Sequence, residues 1–154
     1  MRIALVVSRY NAFVTAPLEA GARTALAEAG VAAPDIETFA VPGAYELAQA
    51  AQRVAESGQW SAVVCLGCLI RGETPHFDYI AQAAAHGITR AAQATGVPVT
   101  FGVLTTNTAD EAIARAGDGS ANKGREAALA AVEMARLYAQ VDREAGGEAR
   151  PSTS

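Results

Sequence analysis

The stretch "SAVVCLGCLI" (61–70), followed at once by "RGETPHFDYI" (71–80), decides the fold of this chain. The first segment is almost entirely apolar, which is typical of a β-strand buried on both faces of a parallel sheet. The second contains five ionisable side chains and a proline. Because ligands bind beyond the carboxyl ends of the strands in such sheets, this polarity predicts a binding site directly after the strand.

Three other short runs share the apolar character of this strand: "RIALVVS" (2–8), "IETFAV" (36–41) and "PVTFGVLTT" (98–106). Alanine-rich segments of helical character follow the strands, at 14–30, 44–58, 77–96, 109–117 and 122 to about 144. The alternation predicts an α/β fold, a three-layer αβα sandwich with a four-stranded parallel sheet. In a flavodoxin-like strand order, 2-1-3-4, "SRYN" (8–11) would face "RGETPH" (71–76) across a cleft.

Length and composition limit the class of protein. With 154 residues, 51% of them hydrophobic, we expect a single domain over 1–145 and a disordered polar tail over 146–154. The net charge of -4, without long runs of either sign, argues against nucleic acid or an anionic membrane as partner. No apolar run approaches the roughly 18 residues of a membrane span, and no signal-peptide pattern opens the chain, so we expect a cytoplasmic protein.

The two cysteines, Cys65 and Cys68, lie inside the central predicted strand. Residues an odd number apart in a strand point to opposite faces of the sheet, so these thiols cannot bind one metal ion together. We therefore interpret them as buried structural thiols and predict no metal site.

Two glycine-rich patterns for nucleotide phosphates were tested and fail. In "GDGSANKG" (117–124) Lys123 precedes the final glycine, whereas the Walker pattern has the lysine after it. The first strand ends in "SRYN", without the glycine that lets a pyrophosphate approach. Phosphate could instead bind the backbone amides of 72–74 before the next helix, with the Thr74 hydroxyl. The alternative there is a plain turn in which Pro75 opens the helix.

Several side chains near the strand ends have both a functional and an ordinary interpretation. His76 could transfer protons near neutral pH, or be a solvated loop histidine. Glu46 could bind a ligand, or only stabilise the first turn of its helix. Tyr10 could offer a flat face to a ring, or be an ordinary aromatic residue at the rim of the cleft.

Three residues of the second half of the chain are ambiguous in the same way. Phe101, in the middle of a strand, fits a core position better than a ligand contact. Arg115 and Lys123 flank the "AGDGSAN" loop and could bind an anion, or be ordinary surface charges. The residues alone thus predict a polar cleft for a phosphorylated or hydroxylated small molecule, and they do not name a reaction.

Five segments, in this order, resemble the signature segments of the lumazine synthase family, whose enzymes catalyse the penultimate step of riboflavin synthesis: "SRYNAFVT", "VPGAYELA", "LGCLIRGETPHFDYI", "VPVTFGVLTTNTADEAIARAG" and "NKGREAALAAVEMA". They run over nearly the whole chain and omit only the C-terminal tail. The resemblance implies a transferase that condenses 5-amino-6-(D-ribitylamino)uracil with 3,4-dihydroxy-2-butanone 4-phosphate. The products are 6,7-dimethyl-8-ribityllumazine, phosphate and water, and the reaction uses neither a metal ion nor an organic cofactor.

The resemblance also implies a role for each site residue. His76 would carry protons, and Glu73, Thr74 and Arg115 would bind the phosphate. The pyrimidine and its ribityl chain would contact the remaining positions: Tyr10, Ala44, Tyr45, Glu46, Cys68, Leu69, Ile70, Phe101 and Lys123. Family sites lie between adjacent subunits, so Phe101, Arg115 and Lys123 would come from a neighbouring copy.

Three departures from the family pattern bear on the assembly and the site. Tyr10 stands where Phe or Trp is usual, which should preserve stacking. Ala121 replaces a glycine often found before "NKG", and the first strand begins at residue 2, without the leading segment of many shell-forming members. The resemblance implies a homopentamer, or twelve pentamers in an icosahedral shell.

Two other functions fit parts of the same sequence pattern. A receiver-type or other flavodoxin-like domain has a similar strand pattern, but a receiver needs clustered acidic residues after the first strand. A non-catalytic paralogue that forms shells or binds flavin or lumazine is the alternative within the family. We expect such a paralogue to lack the proton carrier or the phosphate arginine, whereas this chain keeps His76 and Arg115.

Overall fold

A computed structural model describes residues 1–149 of the protein. Its strands are β1 (Ile3–Ser8), β2 (Ile36–Val41), β3 (Ala62–Ile70) and β4 (Val99–Thr106). Its helices are α1 (Ala12–Glu28), α2 (Leu47–Glu56), α3 (Phe77–Thr95), α4 (Ala109–Arg115) and α5 (Lys123–Ala149), and short 3-10 turns cover Ala33–Asp35, Ala44–Glu46 and Gly119–Ala121. Within the described residues, no helix combines the length and apolarity needed to cross a membrane.

The four strands form one parallel sheet in the order β2-β1-β3-β4. All nine residues of β3 are buried, as the unbroken apolar pattern of that strand predicts. Strand β4 lies at one edge of the sheet and pairs with β3 alone, and four of its eight residues are not buried. The predicted α/β sandwich with flavodoxin-like strand order is confirmed.

Two apolar cores lie on the two faces of the sheet. Buried side chains of α1, α4 and α5 pack on one face, and those of α2 and α3 pack on the other. Cys68 belongs to the first core and Cys65 to the second. The prediction that these thiols are buried on opposite faces is therefore confirmed.

Most predicted helix ends differ from the observed ones by one or two residues, and the differences at the first, second and last helices are the most informative. The first helix begins at residue 12 rather than 14, directly after Asn11, whose left-handed backbone (φ 64°) turns the chain out of β1. Residues 44–46 form a separate 3-10 turn before α2. The last helix continues to residue 149, so 146–149 are helical where a tail was expected, and 150–154 lie outside the described residues.

The start of α5 is held tightly against α1. A Cβ at Gly124 would overlap the carbonyl oxygen of Leu18, so only glycine permits this approach. Just before it, the buried Asn122 donates from Nδ2 to the carbonyl oxygens of Pro17 (3.2 Å) and Ala116 (3.0 Å). The loop between α4 and α5 is thereby fixed. Ala121 fits this loop with φ outside the left-handed region, so the glycine usual in the family is not required there.

Two buried hydroxyl groups lie near the carboxyl end of β1, one of Ser8 and one of Thr15 on α1, and they differ in their hydrogen bonds. Thr15 Oγ1 donates to the Ser8 carbonyl oxygen at 2.9 Å, whereas Ser8 Oγ has no partner among the described residues. We expect Ser8→Ala to change the free energy of unfolding by less than about 1 kcal/mol, and Thr15→Val to lower it by about 1–2 kcal/mol. Urea denaturation of both variants checks this. An equally large loss for Ser8→Ala would show that its hydroxyl has a partner.

Candidate active site

The loops after β1, β2 and β3 meet at the carboxyl edge of the sheet. Backbone bonds tie the first loop to the second: the Arg9 nitrogen donates to the Val41 carbonyl oxygen at 2.8 Å, and the Tyr10 nitrogen donates to that of Pro42 at 3.1 Å. Asn11 ties the first loop to the third, because its Nδ2 lies 3.1 Å from the Cys68 carbonyl oxygen and 3.2 Å from Glu73 Oε2. The predicted juxtaposition of "SRYN" with "RGETPH" is confirmed.

We call this edge the strand-end region. It contains ten of the predicted site residues: Tyr10, Ala44, Tyr45, Glu46, Cys68, Leu69, Ile70, Glu73, Thr74 and His76. Tyr10 and Tyr45 are 57% and 59% exposed, although both are aromatic. Large exposed rings at the carboxyl edge of a parallel sheet are well placed to stack on a planar ligand.

Glu46 has a structural role that uses part of its carboxylate. Its Oε1 accepts a hydrogen bond from the Gly43 nitrogen at 2.9 Å, which closes the turn between β2 and α2. The helix-stabilising interpretation is therefore correct for one oxygen. The side chain is partly exposed, and a carboxylate has two acceptor oxygens, so the fixed group can still accept from a ligand hydroxyl.

The loop between β3 and α3 leads to the N-cap residue of α3, His76, whose side chain makes no capping hydrogen bond. The His76 nitrogen donates to Thr74 Oγ1 at 3.2 Å, and His76 is the N-cap of α3. Pro75 precedes the cap, so it does not open the helix as the plain-turn interpretation supposed. A turn with Gly72 at φ 92° leads into the cap. The amino end of a 19-residue helix favours an anion at this point.

His76 is exposed beside this helix start. Its ring lies 6.4 Å, centroid to centroid, from the ring of Tyr79 at an angle of 53°. Its backbone oxygen accepts from the Ile80 nitrogen at 2.9 Å, so the main chain is fixed while the imidazole faces the solvent.

The remaining predicted site residues lie elsewhere. Phe101, Arg115 and Lys123 line one cavity of about 300 Å³ beside β4, which we call the β4-edge cavity. Arg115 lies 3.9 Å from Glu111, and Lys123 Nζ lies 2.9 Å from Glu126 Oε2. The two cations are therefore brought together, although the sequence left open whether they act in concert.

The interpretation of Phe101 as a core residue is wrong. Its side chain is 45% exposed. The physical reason is that β4 is an edge strand, so a residue in the middle of it has no neighbouring strand on one side.

Within one chain, Phe101 lies away from the strand-end region. Phe101 pairs with Cys65, five residues before the last pair of the ladder, Thr106 with Ile70. At about 3.3 Å per residue, Phe101 lies roughly 16 Å along the strand from its carboxyl end. One chain therefore does not bring the ring of Phe101 to His76.

A comparison with known protein families identifies the chain. The family model of 6,7-dimethyl-8-ribityllumazine synthase matches residues 1–139. This chain belongs to that family. The match covers the entire sheet and helices α1 to α4, so it includes both regions described above. Lumazine synthases are transferases of riboflavin biosynthesis that use two small-molecule substrates and assemble as oligomers.

Sequence reasoning missed three polar residues that organise the strand-end region. Asn11 bridges the loops after β1 and β3, and Arg71 donates from Nε to Asn107 Oδ1 at 3.2 Å. Asn11 carried a usable signal, because asparagine after a strand tolerates the left-handed backbone that starts a turn. The contact between Arg71 and Asn107 spans 36 residues, and no local pattern predicts it.

The two thiols are expected to be inert in the folded chain. Burial raises the pKa of Cys65 to about 12, and burial with the Glu73 charge raises the pKa of Cys68 to about 11. A pKa near 11 leaves roughly one thiolate in a thousand at pH 8, and the thiolate is the reactive form. We expect a disulfide reagent at pH 8 to label neither thiol until denaturant is added. Rapid labelling of the native protein would contradict this.

Proposed function

We propose that this protein condenses 5-amino-6-(D-ribitylamino)uracil with 3,4-dihydroxy-2-butanone 4-phosphate to give 6,7-dimethyl-8-ribityllumazine. The family match over residues 1–139 carries this proposal. Both His76 and Arg115 are present, and this favours an enzyme over a non-catalytic paralogue that forms shells or binds a lumazine or flavin.

The reaction needs proton transfer and placement of two substrates. The 5-amino group attacks the ketone and loses water to form an imine, then phosphate leaves, and ring closure releases a second water. Each step moves protons between nitrogen, carbon and oxygen, so a group that titrates near neutral pH is useful. Holding two reactants in the correct orientation also supplies much of the rate. The site must therefore place two substrates, one phosphate and one proton carrier together.

The strand-end region would hold most of the pyrimidine substrate. Tyr10 would stack on its ring, and the backbone of Cys68, Leu69 and Ile70 would contact the ring edge. These three residues are buried in β3, which supports a role for their backbone rather than their side chains. The turn at Ala44–Glu46 would bind the ribityl chain, with Glu46 accepting from its hydroxyls.

The cap of α3 would bind the phosphorylated ketone. Glu73 and Thr74 would contact the phosphate mainly through main-chain amides, because the Glu73 carboxylate already accepts from Asn11 and would repel an anion. The positive end of the helix supports an anion there. His76, at the first cap position, would then lie next to the reacting carbons and carry the protons.

A second copy of the chain would complete the site with Phe101, Arg115 and Lys123. The position of Phe101, roughly 16 Å along β4 from its carboxyl end, supports this arrangement, because one copy does not bring that ring to its own strand-end region. The β4-edge cavity lies at the open edge of the sheet, where another copy can approach. A head-to-tail contact closes into a ring when the rotation between copies divides a full turn, and the resemblance favours a pentamer, alone or as one of twelve in a shell.

Mixing the purified protein with the two substrates tests the proposed reaction. Formation of the lumazine is followed by its absorbance and fluorescence, against a sample without protein because the reagents also condense by themselves. We expect clear acceleration over that control. No acceleration by folded protein that still binds the pyrimidine would contradict the proposal and favour the non-catalytic paralogue.

A further inference from the structure

The guanidinium of Arg71 joins two loops that flank the strand-end region. Arg71 follows β3 directly, and its backbone nitrogen donates to the Thr106 carbonyl oxygen at 2.8 Å. Its side chain Nε donates to Asn107 Oδ1 at 3.2 Å, and Nη2 lies 3.4 Å from Asp78 Oδ1. The cation also covers the ring of Phe77, with Cζ 4.6 Å from the ring centroid. One side chain therefore connects the β4–α4 loop to the start of α3.

These contacts hold the backbone of the residues that directly follow His76. Phe77 and Asp78, the two residues of α3 that Arg71 contacts, follow His76 immediately. Among residues 1–149, the one recorded contact of the imidazole is its tilted approach to Tyr79 at 6.4 Å. Its position therefore depends on the start of α3, which the buried Phe77 packs into the core and which Arg71 ties to the β4–α4 loop.

The other end of the connection is also anchored. The Asn107 nitrogen donates to Glu111 Oε2 at 3.1 Å, and the Thr108 hydroxyl caps α4 by accepting from the Glu111 nitrogen at 3.1 Å. These two bonds fix the backbone of Asn107 at the amino end of α4, independently of its contact with Arg71. A displacement of the α3 start would break either the hydrogen bond between Arg71 and Asn107 or the ion pair between Arg71 and Asp78.

We propose that Arg71 is a positioning residue for His76, acting through Phe77 and Asp78. The inference rests on the proposed function, because it assumes that His76 carries protons at the reacting atoms. Arginine suits the role, since its planar fork binds two acceptors while its face covers an aromatic ring, which an ammonium group cannot do in the same way. The contacts are partly exposed, so each is individually weak and the fold does not depend on them.

A double-mutant cycle tests this role. We expect Arg71→Gln to lower kcat about 10-fold, with the KM of each substrate changed less than about twofold. In a His76→Ala background the same change should lower kcat less than about twofold, because the two residues act as one unit. Arg71→Lys should recover part of the loss. An equal loss in both backgrounds, or none in the wild type, would overturn the proposal.

Two variants keep this cycle interpretable. Arg53→Gln, at an exposed position on α2, is the matched control and should leave kcat unchanged. Asn107→Ala removes one of the two acceptors and should lower kcat about threefold. If Arg71→Gln does not fold, Asn107→Ala replaces it in the cycle, and an equal loss in both backgrounds again counts against the proposal.

A measurement without substrate separates this inference from the proposed reaction. The chain has two histidines, His76 and His86, and both lie at or on α3. In proton NMR spectra, Arg71→Gln should shift and broaden the ring signals of His76 and leave those of His86 in place. A wild type that makes no lumazine would refute the proposed function alone, whereas unchanged His76 signals would refute the positioning role.

Discussion

Replacing Arg115 by alanine is expected to raise the KM for the phosphorylated ketone about 100-fold and that for the pyrimidine less than about threefold. Arg115 ends α4 and lines the β4-edge cavity with Lys123. Its guanidinium is half exposed. The distance of 3.9 Å to Glu111 is too long for a hydrogen bond, so the guanidinium can still form two bonds to a phosphate. A charged bidentate contact of this kind is among the stronger polar interactions.

Steady-state kinetics with each substrate varied in turn measure this effect. Arg115→Lys keeps the charge but loses the fork, so it should show an intermediate KM for the ketone. Arg53→Ala, at an exposed position on α2, is the matched control and should behave as the wild type. If Arg115→Ala raised both KM values equally, the residue would not bind the phosphate.

Replacing His76 by alanine is expected to slow turnover roughly 10- to 1000-fold without abolishing it. The reduction follows from the loss of a proton carrier next to the reacting carbons. The residual rate follows from positioning, because the remaining residues still bring amine and ketone together. The exposed imidazole at the cap of α3 is the observation on which this expectation rests.

His86 provides the control for this prediction. It is exposed on the same helix, ten residues further along and away from the cap. Turnover is measured at saturating concentrations of both substrates, so that a change in binding does not enter. His86→Ala should turn over at the wild-type rate. Turnover of His76→Ala at the wild-type rate would remove that histidine from the mechanism.

The sheet was predictable from the sequence because each strand is a short apolar run and the helices between them force a parallel arrangement. The strand order 2-1-3-4 came from the analogy with flavodoxin-like sheets, and under that order the polar segments after the first and third strands were expected to meet. The exposed ring of Phe101 did not follow, because an apolar residue in an edge strand has the same local pattern as one in a central strand.

The helix ends and the polar connections were less predictable for different reasons. Gly146 and Gly147 lower helix propensity by only about 1 kcal/mol each, so they do not end α5 where the sequence indicated. The bonds from Asn11 to the β3–α3 loop, and from Arg71 to Asn107, join loops that are distant in sequence. Only the folded sheet brings these side chains together.

The central claim is that one active site combines the strand-end region of one copy with the β4-edge cavity of another. Mixed oligomers of His76→Ala and Arg115→Ala chains test it, since one copy can supply His76 and the next Arg115. With equal amounts and random assembly, about one quarter of the sites should contain both native residues.

The mixture is refolded together, its mixed composition is checked by native mass spectrometry, and activity is measured at low ketone phosphate concentration. We expect about a quarter of the wild-type rate, well above either parent variant. If the mixed oligomers form but their rate is only the average of the rates of the two parent variants, each site lies within one chain and the account is wrong.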